Sequence, residues 1–116
     1  MTTEEMNVAI YKKMEAEQQH FKEWLLTLPP EQILAHCYEY TVKENILLAM
    51  ECNDLNARRA KAFLESPSPL QDAYEIYQKW EVGEVSIAWE CIEHCASERL
   101  RDMHTKKNDG LTQQLE

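Results

Sequence analysis

Glycine is nearly missing from this chain: its 116 residues include two, Gly83 and Gly110. Tight turns rely on glycine, so its scarcity argues against an all-β fold with many hairpins and for helices. Long apolar runs are missing too, and none approaches the ~20 residues needed to cross a bilayer. The start, Met1-Thr2-Thr3-Glu4-Glu5, is polar and acidic and has no signal-peptide character. Paired C-x-x-C knuckles are absent; the four cysteines are Cys37, Cys52, Cys91 and Cys95. With no secretory signal they are read as reduced thiols of a cytoplasmic protein. Positive charge is also in short supply. Twelve Lys and Arg face 21 Asp and Glu, a formal net charge of -9. Affinity for DNA comes largely from phosphate neutralisation, so this balance works against direct duplex binding.

What remains suits one globular domain. The composition is 44% hydrophobic and 28% charged, and good helix formers dominate. Thr2 and Glu5 have capping-box spacing, which predicts a helix from near Thr3. Met6, Ile10, Met14, Phe21, Trp24, Leu25 and Leu28 then form one apolar stripe. Glu17 falls inside that stripe. Pro29-Pro30 ends the helix, and Pro30 suits the first position of the next. Ile33, Leu34, Cys37, Tyr38 and Thr41 are expected to be its buried side, with helix to about Cys52 and a possible break near Thr41. Asn53-Asp54 signals a turn before a short third helix ending at Ser66-Pro67-Ser68-Pro69. Ser68 and Pro69 cap a fourth helical stretch running to about Met103. The expectation is an all-α fold of four or five helices in a small irregular bundle. Residues 1–104 form a single domain and 105–116 a disordered tail.

The fourth stretch carries the charge. Between Glu65 and Glu98 lie eight carboxylates and one base, Lys79. At ~100° per residue, Asp72, Glu75, Glu90 and Glu93 share one side, opposite Leu70, Tyr74, Tyr77, Cys91 and Cys95. Glu81 and Glu84 would fall within the apolar side of a straight helix, where an unpaired carboxylate is costly. A break near Val82-Gly83 would turn them outward and give a helical hairpin.

Three stretches, 25–34 (Leu25 to Leu34), 38–47 (Tyr38 to Leu47) and 66–70 (Ser66 to Leu70), together resemble an uncharacterised domain family carried on mobile elements of Firmicutes. The resemblance spans residues 8–82; the stretch after Trp89 departs from it. The family carries no catalytic signature. It implies a mobile-element setting, in which small acidic proteins resemble anti-CRISPR and other anti-defence inhibitors.

Several chemistries are open. Cys91, His94 and Cys95 lie within about one helical turn and offer zinc donors, with Cys52 or Cys37 completing four; buried packing of the thiols is the plainer account. Cys37 follows His36, but helix neighbours point ~100° apart and cannot form a thiolate–imidazole pair. A surface of summed negative potential attracts basic proteins. The expected binding residues are Asp72, Glu75, Glu81, Glu84, Trp89, Glu90 and Glu93, with Trp89 as an interface anchor or a packing residue. The leading expectation is a non-enzymatic inhibitor without cofactor or metal. Its acidic face would engage the basic groove of a nucleic-acid-handling protein such as a Cas9-type effector. The alternatives are a homo-oligomeric structural or regulatory protein, a homodimer for example, and a zinc- or thiol-dependent protein built on Cys91, His94 and Cys95.

Overall fold

A computed structural model describes residues 1–80 and 87–115, with side chains described for 1–80 and 88–103. Six helices are present among them: α1 (Thr3–Leu25), α2 (Pro30–Ala35), α3 (Cys37–Cys52), α4 (Ala57–Leu64), α5 (Pro69–Trp80) and α6 (Ile87–Leu115). The all-α expectation holds. The helical backbone of α6 extends through 105–115, the segment read from sequence as a tail.

The helix ends follow local chemistry. Thr2 caps α1, its hydroxyl oxygen accepting the Glu5 N–H at 3.1 Å. Near the other end Thr27 donates its hydroxyl to Trp24 O, and Pro29 then forbids continuation. α4 is capped by Asn56, which accepts the Arg59 N–H at 2.9 Å, so the cap falls three residues beyond Asn53. α5 begins at Pro69 as expected.

The break in the second helical stretch falls at His36, not near Thr41. His36 leaves helical angles (φ -99°, ψ 2°), and its ring lies edge-on to Trp24 at 5.1 Å and to Phe21 at 6.3 Å. Thr41 sits inside α3 instead, its hydroxyl bonded back to Cys37 O. A second correction follows. None of α2 is buried, and Leu34, Cys37, Tyr38 and Thr41 are exposed rather than inward. The kink redirects the face that a continuous helix would have laid on the core. Trp24, assigned to the α1 stripe, is 47% exposed at the same tip.

The core joins α1, α3, α4, α5 and α6. It contains Ile10 and Met14, Val42, Ile46 and Met50, Ala60 and Phe63, Leu70, Tyr74 and Tyr77, and Ala88, Cys91, Ile92 and Cys95. Apolar area removed from water at ~25 cal/mol per Å² drives this assembly. α5 and α6 pack on each other. Trp80, at the end of α5, meets His94, while Asp72, at its start, shares a groove with Asp102. The two helices are therefore antiparallel, which rules out one straight rod from Pro69 onward. Val82, Gly83 and the expected break there lie outside the described residues.

Polar residues of α1 complete the framework. Asn7 exchanges two hydrogen bonds with the Leu55 main chain, at 3.0 and 2.8 Å. Lys13 donates to Leu64 O and Ser66 O, both at 2.7 Å, where α4 leaves carbonyls unpaired. Glu17, the apparent flaw in the stripe, accepts the N–H groups of Leu70 (2.7 Å) and Gln71 (3.3 Å) at the start of α5. Lys43 is buried at 5% exposure, paired with Glu39 at 2.7 Å and 4.0 Å from the Phe21 ring centre. Contact with an aromatic face offsets part of its desolvation.

Candidate functional site

The antiparallel packing of α5 and α6 rearranges the acids expected on one wall. Asp72 and Glu75 enter a groove between the two helices together with Glu98 and Asp102. Lys79 and Arg99 line the same groove, so it is mixed in sign. Asp72 is also tied down locally, accepting the Ser66 hydroxyl at 2.6 Å. Glu90 lies about 80° round α6 from Glu98 and is exposed. Glu93, on the α4 side, reaches Arg59 at 3.9 Å. Trp89 is half-buried and packs against the core. Glu81 and Glu84 lie outside the described residues. The acids thus split into two flanks of α6, because the shared side of a continuous helix is lost once the chain folds back.

Among the described residues Glu93 pairs with Arg59 and Glu98 with His94, while Glu75 and Glu90 have no ion-pair partner. Among the described residues two Lys or Arg side chains pair with carboxylates, Lys43 with Glu39 and Arg59 with Glu93. Lys13 and Arg99 are directed instead to main-chain carbonyls, Arg99 to Ala62 O at 2.9 Å.

The fold also gathers residues that the sequence reading missed. A trough of about 410 Å³ runs between α1 and α3, lined among others by Tyr11, Glu15, Gln18, Lys22, Tyr40, Glu44 and Glu51. Tyr11 and Glu51 also line an adjoining hollow of about 400 Å³, with Glu4 and Asp54. Burial, then Glu51 and Glu15, raises the Tyr11 hydroxyl above its ordinary pKa. Burial, then Glu44, does the same for Tyr40. The signal was present as a second helical spacing: residues 11, 15, 18 and 22 on α1, and 40, 44, 47 and 51 on α3.

Across residues 6–100 the chain matches the family described as "Protein of unknown function (DUF3848)". The chain belongs to this family. No curated protein and no solved structure matches it. The family domain includes α6 as far as Leu100, so the first part of the stretch after Trp89, set apart on sequence, lies within it.

Within that domain the thiol and metal candidates separate. Cys91 and Cys95 face the core, and burial pushes their thiols up to about 11 and about 12. A thiol so raised is almost wholly protonated at neutral pH and is a poor nucleophile. His94 turns to the outer side, against Trp80 and hydrogen-bonded to Glu98 at 3.0 Å. Cys37 and Cys52 sit at opposite ends of α3, roughly 22 Å apart at 1.5 Å per residue. Among the described residues no three His, Cys, Asp or Glu side chains converge as metal ligands. No described helix is long and apolar enough to cross a membrane.

Proposed function

We propose that this chain is a non-enzymatic inhibitor of a mobile element, acting by presenting uncompensated carboxylates to a basic groove on a nucleic-acid-handling protein. A Cas9-type ribonucleoprotein is the specific target, since such effectors hold guide and target in positively charged channels. The observation that supports this is the disposition of charge. The net charge is -9, yet Lys13 and Arg99 serve main-chain carbonyls and Lys43 is buried, so acids such as Glu75 and Glu90 face water without an ion-pair partner among the described residues. Carboxylates held on rigid helices can occupy positions that phosphates would otherwise take.

The test is titration of the purified protein against Cas9-type effectors with and without guide RNA, at several salt concentrations. Binding that weakens as salt rises, and that falls on reversing Glu75, Glu90 and Glu93 to lysine, supports the reading. Charge reversal without effect on inhibition refutes it.

A second reading has its own support. Trp24, Leu26, Leu34 and Tyr38 leave an apolar tip exposed at the α1–α2–α3 end, as a homo-oligomeric protein would. Sedimentation over a range of concentrations separates the two, because a strict monomer removes the second.

A further inference from the structure

α3 has a face that the rest of the fold leaves open. At ~100° per residue, Cys37, Tyr38, Thr41, Asn45, Leu48 and Cys52 fall within a ~100° arc. The buried residues Lys43, Ile46 and Met50 lie on the opposite side. Tyr38 and Leu48 are 62% and 52% exposed, Asn45 is half-buried, and Cys37, Thr41 and Cys52 are open to solvent. No member of the arc is charged, in a chain of which 28% is. The ionic groups of α3 are placed elsewhere. Glu39 and Lys43 pair with each other, and Glu44 and Glu51 line the trough towards α1.

The spacing of the arc says what shape covers it. Tyr38, Thr41, Asn45, Leu48 and Cys52 are separated by steps of three, four, three and four. Leu34, four positions earlier and 73% exposed, continues the series across the His36 kink. Alternating steps of three and four make a seam along which one helix packs lengthwise on another. α3 uses one such series, at positions 43, 46 and 50, for its own core. The second series faces water. In heptad terms Tyr38, Asn45 and Cys52 take a positions, and Thr41 and Leu48 take d.

Asn45 selects the occupant. Its amide both donates and accepts, so an identical amide placed opposite satisfies it, whereas an apolar partner helix would leave it unpaired. A single asparagine at an a position sets the register of paired helices in this way. The seam offers no carboxylate to a basic partner and no cation to a nucleic acid. Its size also agrees. With Leu34 the exposed surface comes to roughly 500 Å² per copy, or roughly 1,000 Å² for a pair, at the lower end of specific interfaces.

We infer that a second copy of this chain docks on the outer face of α3, the two α3 helices side by side and parallel, with Asn45 of each copy facing the other. Parallel alignment sets Glu44, beside the seam, against the other copy's Ala49 rather than against a second Glu44. This rests on the homo-oligomeric reading and moves its contact from the α1–α2–α3 tip to the length of α3. The acidic-face reading is independent of it.

The experiment is sedimentation of the whole chain over micromolar to millimolar concentrations. A reversible monomer–dimer equilibrium is expected within that range. Leu48→Lys, at an exposed position, should keep the parent melting curve and weaken the dimer by about tenfold or more, because it sets a charge in the seam. Asn45→Leu should tighten the dimer by about tenfold, since the polar residue sets register at a cost in stability. Added salt should tighten it as well, by screening the repulsion between two chains of net charge -9. Leu26→Ser, at the tip and outside the seam, should leave it unchanged. Mild oxidation reads the alignment: Cys37→Ser protein should form a dimer through Cys52 faster than Cys52→Ser protein forms one through Cys37. Equal rates overturn the parallel pairing. A dimer that survives Leu48→Lys, or that Leu26→Ser dissolves instead, overturns the seam while the homo-oligomeric reading stands. A strict monomer at every concentration overturns both and leaves the acidic-face reading untouched.

Discussion

Replacing Glu17 separates the contribution of a hydrogen-bond acceptor from that of a charge. Its carboxylate, on α1, accepts two N–H groups at the start of α5, where unpaired donors and the helix dipole favour an anion. Burial opposes this and is the largest influence, so the Glu17 carboxyl is held above the ordinary carboxylate range. Glu17→Ala orphans both donors at a part-buried site. One short bond and one long bond to a charged acceptor, set against relief of desolvation, give a loss of about 2 kcal/mol. For a domain of this size that lowers the melting temperature by roughly 8 °C. Glu17→Gln keeps a carbonyl for Leu70 and removes the desolvated charge, so it should lie within about 1 kcal/mol of the parent at neutral pH.

The pH dependence follows from the direction of the shift. A carboxyl with a raised folded-state pKa binds more protons folded than unfolded between the two values. Its contribution to stability therefore falls as pH rises from the ordinary carboxylate range through the raised value. Glu17→Gln should flatten that part of the profile. Thermal melts by circular dichroism between mildly acidic and neutral pH read both effects. An alanine variant as stable as the parent, or a glutamine variant as damaged as the alanine one, refutes the assignment.

Three further outcomes are expected. Asn7→Ala removes both bonds to the buried Leu55 main chain and should cost about 2–3 kcal/mol in a urea unfolding curve. At pH 8 a thiol reagent should label Cys37 and Cys52 quickly, and reach Cys91 and Cys95 after denaturation; fast reaction of all four would contradict the burial that raises the latter pair. Leu34→Ser, at a side chain 73% exposed, should change stability by less than about 0.5 kcal/mol and should lower any self-association seen by sedimentation.

Local rules located the helices well. Thr2, Pro29-Pro30 and Pro69 set boundaries through their own backbone chemistry, which acts over a few residues and is visible in the sequence. The failures came from longer range. His36 carries no breaker signature, and its departure from helical angles is accompanied by contacts with Phe21 and Trp24 on α1. The exposure of α2 follows from that kink. Glu17 looked like an error in an apolar stripe because its partners, Leu70 and Gln71, lie more than fifty positions away. The acidic wall was inferred from a continuous helix, and the antiparallel packing of α5 on α6 divides it. The trough needed α1 and α3 set side by side before Tyr11 and Glu44 shared a space.

The tethers of the first helix bear on how the chain is made. Asn7, Lys13 and Glu17 hold main-chain atoms 48 to 54 positions downstream. α1 is synthesised before all of these partners, and the last of its tethers, from Glu17 to Leu70 and Gln71, closes only once the start of α5 has also emerged. Closing such distant contacts is slow compared with coiling a single helix. A nascent chain halted before Leu70 should remain protease-sensitive along its whole length, including a helix already fully synthesised.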